Sequence, residues 1–349
     1  MRKIFYHIII CLSAVTLLVG CSKDDPDTSF SVFDRVEEPK NEFDKWLEKN
    51  YTDVYNIDYK YRMDDKEIDF TKNLVPSTLE NSMKMASIIQ HAWLDSYVEV
   101  AGVDFMRQHA PAILQVIGSA SWNTDGTITL GTAEGGLKIT IYMTNWLNEQ
   151  DVVQMNEYFF NTMHHEFTHI LHQDINYPQD FNLISGGDYS PSGWHNRTSI
   201  NEYAPLGFVS AYAGSMSSED VVEVTCRYLT YTDKQWSDLY AAAGEVGGKK
   251  LDQKIQIMKD YMMSKWNIDM DQLRNVVNRR MDEVTKLELI MPEWKQLLSN
   301  TPLTKAVSFE AMRAEYMANK ANIYRQFETN ADECQVHNAS MLNLFEEKK

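Results

Sequence analysis

"FFNTMHHEFTHILHQD", residues 159–174, holds four of the chain's nine histidines within nine positions. Its apolar residues recur at helical spacing, and on a helix His165 and His169 stand one above the other on a single face. Two imidazoles four residues apart can reach one zinc ion, and Glu166 beside them can hold the water that such an ion activates. A catalytic zinc needs a third protein ligand and a fourth position open to water. His172 does not supply it. Seven residues past His165 it lies about 10 Å further along the axis of an unbroken helix, out of reach of the same ion. His164 points about 100° away from His165, toward packing or the surface.

"SSEDVVEVTCRYL", residues 217–229, offers the missing ligand. Two serines can cap a helix on which Glu219 and Glu223 are again four residues apart. Glu219 can be the third ligand. Glu223, one turn on, can accept the Nδ1 proton of His165 and fix its tautomer. The plainer alternative makes both solvated charges at a helix start, although Val221, Val222 and Val224 bury one side of that helix.

HEFTH followed after fifty residues by E-x-x-x-E resembles the gluzincin metallopeptidases, and most closely the group containing the anthrax lethal factor catalytic domain. That resemblance implies a tyrosine seven residues before the ligand glutamate, facing the metal and stabilising an oxyanion. Here the position is Tyr212, in "FVSAYAGSMSSEDVVE". Over roughly residues 50–285 the chain also resembles a family of zinc-binding metallopeptidase lipoproteins from gut bacteria. The likeness rests on the catalytic segments, the strand block and "GFVSAYA".

The chain begins with a short basic head, Arg2 and Lys3, an apolar run from Ile8 to Val19, and Leu18-Val19-Gly20-Cys21. This reads as a secretory signal over 1–20, and its end resembles a bacterial lipobox that would make Cys21 a lipid-modified N-terminus. The polar, acidic, proline-broken stretch 21–45 is expected to be a flexible tether. Its opening "SKDD" looks like an export signal of outer-membrane lipoproteins that face the cell exterior. A net charge of −17 argues against nucleic acid and against adhesion to anionic lipid. Beyond Cys11 and Cys21 only Cys226 and Cys334 remain, too few for a disulfide framework and in no Cys-x-x-Cys pair.

Along the remainder, "VPSTLENSMKMASIIQHAWLDSYVEVAG" (75–102) is a predicted helix, with Ser77 and Glu80 as its capping box. "AILQVIGSASW", "GTITLGTA" and "GGLKITIYM" read as strands, with a turn at Asp125-Gly126. The strand "LKITIYM" is expected to edge the cleft and pair with extended substrate. Residues 175–208 read as a long functional loop. From Glu219 the pattern is helical, with breaks at Gly247-Gly248 and 267–269. The expectation is therefore α+β: a zincin-like domain over 46–285 with a small mixed sheet, an HExxH helix and a mainly helical C-terminal half. A helical extension follows over 286–349. The expected activity is hydrolysis of extracellular protein or peptide substrates, with one zinc per chain held by His165, His169 and Glu219, Glu166 as base and Tyr212 as oxyanion donor. A contrasting expectation is a binding or scaffold lipoprotein of a surface uptake system that keeps the fold without turnover.

Overall fold

In a computed structural model the described residues are 39–63, 71–123 and 128–300. The leader, Cys21, most of the tether, the Asp125-Gly126 turn and everything from residue 301 onward lie outside them.

The first described helix, α1 (Glu42–Leu47), starts inside the stretch expected to be tether. Asn41 and Asp44 exchange side-chain and backbone hydrogen bonds at 2.9 Å each, a reciprocal cap that fixes the helix start. Phe43 is fully buried. Its ring and that of Trp46 each lie 5.0 Å from the ring of Trp294. Trp294 belongs to the last described helix, Pro292–Asn300, and is itself fully buried. Helix α1 and the helix Pro292–Asn300 thus pack against each other. Phe43 and Trp294 lie some 250 positions apart, a pairing that no local pattern displays.

A four-stranded sheet follows: β1 (Asp58–Lys60), β2 (Ile113–Val116), β5 (Gly131–Glu134) and β6 (Lys138–Ile141), in the order β1-β2-β6-β5. The first two pairings are parallel and the last is antiparallel. Leu114 opposite Ile139 and Val116 opposite Ile141 make its buried face. The expected edge strand, β6, is in fact internal, and β5 forms the edge. Two short strands, β3 (Ser121–Trp122) and β4 (Ile128–Thr129), pair antiparallel beside this sheet. Residues 79–109, before β2, are helical: α2 (Leu79–Ile88) runs through a widened turn into α3 (Asp95–Ala101), then α4 (Val103–His109). The cap of α2 is Thr78, whose hydroxyl accepts from the Asn81 amide, one residue later than expected. Ser77 instead accepts a hydrogen bond from Thr144.

After the sheet, α5 (Val152–Met155) leads through a widened turn into α6 (Asn161–Asp174), which carries the HExxH segment. Phe159, Phe160, Met163, Phe167, Ile170 and Leu171 recur three or four apart and are all buried, so this helix crosses the core. The long loop holds only short turns of helix, including α7 (Phe181–Ile184) and α8 (Ile200–Tyr203). The C-terminal half is helical as expected: α9 (Ser217–Thr230), α10 (Asp233–Trp266), α11 (Met270–Glu283) and α12 (Pro292–Asn300). The break expected at Gly247-Gly248 falls instead at Gly244, whose φ of 63° and ψ of −165° leave the helical region. Gly247 serves close approach: a Cβ there would lie 2.4 Å from the Ala204 carbonyl oxygen. The architecture is α+β, as expected, with the helices segregated toward the C-terminal half.

Trp294→Ala is expected to lower unfolding free energy by about 3–5 kcal/mol, the usual loss for emptying a buried aromatic site. Urea denaturation measures it. An unchanged midpoint would mean that α12 is not part of the fold.

Candidate metal centre

Helix α9 lies against α6 because its valines, Val221, Val222 and Val224, are fully buried. That contact brings together residues 50 or more positions apart. His165 Nε2 and His169 Nε2 are 3.2 Å apart, and each lies 3.3 Å from Glu219 Oε2. On the other side of the His165 ring, Nδ1 is 2.9 Å from Glu223 Oε1. A proton on Nδ1 donated to that carboxylate leaves the Nε2 lone pair facing the Glu219 oxygen and the second imidazole.

Three donor atoms converging in this way repel one another unless a cation lies among them. Glu219 Oε2 is buried and makes no hydrogen bond. Around a tetrahedral zinc with bonds of about 2.0–2.1 Å, neighbouring ligand atoms stand about 3.3–3.4 Å apart. The observed triangle of 3.2, 3.3 and 3.3 Å matches that spacing, so the residues present fit the metal. A second group, His165, Glu223 and Cys226, also clusters, but Cys226 is wholly buried and its thiol is pushed up to about 11 by burial, then by Glu223.

Glu223 is held from several directions. Ser210 Oγ donates to its Oε2 at 2.7 Å, and Arg227 Nε approaches the same oxygen at 3.3 Å. Burial works to raise this carboxyl, but Arg227, His165 and Ser210 hold it well below the usual carboxylate range. Ser210 also accepts the amide of Ala213 at 3.0 Å, tying the turn Tyr212–Gly214 to the same carboxylate. Sequence reasoning passed over Ser210 and Arg227. Arg227 had a signal, its position four residues after Glu223 on one helix face; Ser210 had none.

Glu166 lies beside the metal triangle, 7 % exposed. Burial lifts its carboxyl above the usual range, against the pull of His165, His169 and a hydrogen bond from the Ala133 backbone. Ala133 belongs to edge strand β5, which approaches α6 closely because residue 131 is glycine. A Cβ there would lie 2.4 Å from Thr162 Cγ2 and 3.2 Å from Glu166 Oε1.

Tyr212 is 38 % exposed, with its ring 6.0 Å from the His165 ring and 5.0 Å from that of Trp194 in the long loop. Burial and then Glu219 raise its phenol, so it stays protonated. His164 is buried, with Nδ1 3.1 Å from the Tyr97 hydroxyl. His172 is buried between the rings of Tyr177 and Tyr261. Burial, then His169, presses its pKa down to about 3, so it is neutral. Cys21 lies outside the described residues.

Residues 36–271 match the family described as "Putative zinc-binding metallo-peptidase". The chain belongs to that family. It is also similar to a crystal structure described as a "putative zinc-binding metallo-peptidase" from Bacteroides caccae ATCC 43185, with 54 % identity over 74 % of this chain and 98 % of that one, and a TM-score of 0.65. No curated protein matches the chain.

Gly131→Ala is expected to force β5 away from α6 and lower stability by about 1–3 kcal/mol, the cost of overpacking. Adding Thr162→Ser, which deletes the methyl in the way, should recover part of that loss. A Gly131→Ala protein with wild-type thermal stability would remove the close approach from the account.

Proposed function

We propose that the protein is a zinc-dependent peptidase that cleaves peptide bonds of extracellular proteins or peptides. It binds one zinc per chain through His165, His169 and Glu219. The observation that carries this reading is the triangle of donor atoms on α6 and α9, at zinc-ligand spacing, with a buried carboxylate alongside. When bound, zinc acidifies water toward neutral pH and polarises a substrate carbonyl.

The chain's own groups perform the remaining steps. Glu166 accepts a proton from the attacking water and passes it to the leaving amine. A carboxyl raised by burial toward the working pH suits both transfers. The protonated Tyr212 hydroxyl donates to the oxyanion that develops on the carbonyl oxygen. Glu223, through Nδ1, holds His165 in the tautomer that leaves Nε2 free. The outer edge of β5 is the surface on which an extended substrate backbone pairs. Alternation in the β5–β6 pair, anchored by the Tyr142 amide on the Leu130 carbonyl, turns the backbone groups of Gly131 and the carbonyl of Ala133 outward, the Ala133 amide being held by Glu166. An edge that takes a peptide along its length accords with endopeptidase action. In this proposal the domain is displayed outside the cell as an outer-membrane lipoprotein through Cys21, the reading that its leader and "SKDD" support.

Three variants separate the roles. His165→Ala should abolish stoichiometric zinc in metal analysis; tight binding of one equivalent would make the ligand assignment wrong. Glu166→Ala should keep zinc and lose about 10²–10⁴ in peptide hydrolysis. Turnover equal to wild type would take Glu166 out of the mechanism and favour a non-catalytic binding protein. Tyr212→Phe should lower kcat by about 10²–10³ with little change in KM, zinc content or Tm. A wild-type kcat in that variant would sink the oxyanion role.

A further inference from the structure

Two lysines one turn apart on α10 reach the segments that carry the candidate metal centre. Lys250 Nζ lies 2.7 Å from Asp188 Oδ2 and 3.3 Å from the Leu206 carbonyl, both in the long loop. Lys254 reaches deeper. Its ammonium is 2.6 Å from Asp220 Oδ2 and donates to the Gly207 carbonyl at 2.6 Å. The Lys254 and Asp220 side chains are both completely buried. The Tyr189 hydroxyl donates to the same Asp220 oxygen at 2.7 Å, and the Phe208 ring centre lies 4.4 Å from the ammonium.

What these contacts hold decides what they do. Asp220 directly follows Glu219 in the first turn of α9, and Gly207 opens the short run of chain that ends at Tyr212. One buried cation thus fixes the backbone on both approaches to the centre. An ion pair stripped of water is a weak device for stability alone, because well-packed apolar residues of similar volume usually serve as well or better. It does enforce direction: an ammonium sharing hydrogen bonds between a carboxylate and a carbonyl allows little freedom to either.

We infer that Lys254 is a positioning residue for the metal centre. With Tyr189 it locks Asp220, and so sets the direction from which Glu219 meets His165 and His169; through Gly207 it sets the path of the chain to Tyr212. Helix α10 is then the backing of the site. This inference rests on the reading that His165, His169 and Glu219 hold zinc.

The test uses the full chain, with zinc affinity read by chelator competition, melting of the metal-free protein, and kcat and KM on a cleaved peptide. Lys254→Met alone strands a buried carboxylate and should melt early. Lys254→Met combined with Asp220→Asn puts a neutral pair in the same space and should recover most of that melting temperature. It should still bind zinc about 10–100-fold more weakly, as loss of outer-shell support does, and lose kcat more than KM. Tyr189→Phe keeps the ring and the fold, and should weaken zinc binding about tenfold with melting nearly unchanged. A folded double variant with wild-type zinc affinity and kcat would reduce the pair to a replaceable piece of core. If the double variant does not fold, Tyr189→Phe decides alone, and wild-type affinity in it overturns the inference. A wild-type chain that binds no zinc at all would overturn the metal reading itself, an outcome distinct from either.

Discussion

The hydrogen bond between His165 Nδ1 and Glu223 Oε1 joins two helices that the chain separates by more than forty residues. A buried carboxylate cannot stand alone, since an unpaired charge away from water is costly. Glu223 therefore gathers Arg227 and Ser210 as well, and Ser210 in turn holds the amide of Ala213. Helix α6, helix α9 and the Tyr212 turn thus converge on one carboxylate. A slip of α9 by a single residue would rotate it about 100° and shift it about 1.5 Å, undoing the donor triangle and this network together. The three valines of α9 packed into the core oppose such a slip.

The site is served from two sides by unlike parts of the molecule. On one side β5 comes close to α6 because Gly131 has no side chain to keep it away, which brings the Ala133 backbone to Glu166. On the other, α10 supports the long loop through its lysines and through the glycine at 247, which lets Ala204 approach. The small sheet meets the Glu166 carboxylate, while the helical half holds Glu219 and Tyr212.

Much of this was legible in the sequence because helix periodicity is local. His165 and His169, and likewise Glu219 and Glu223, are four residues apart, so their shared faces follow from spacing alone. The HExxH helix and the α+β order were legible for the same reason. What escaped depends on neighbours distant in the chain. The β-branched run in β6 looks the same whether the strand is at an edge or inside, and only strand order puts β5 outermost. Phe43 and Trp294 each look like surface-helix residues until they meet. Lys254 sits in a polar stretch of α10, where nothing nearby says that its charge is buried against Asp220. Thr78 in place of Ser77 as helix cap is a smaller error of the same type, because Ser77 was claimed by Thr144 from another segment.

The aromatic contact of α1 with α12 has a mechanical consequence. A pull applied at Asn41 would load α1 first. The rings of Phe43 and Trp46 against Trp294, with Tyr61 and Arg62 on Asp44, are the contacts that would bear it. Neither helix supplies a donor atom to the metal triangle or a bond to Glu223. Under such a pull this end of the domain would give way while the triangle of His165, His169 and Glu219 keeps its shape, as a sacrificial joint protects the machine it is bolted to.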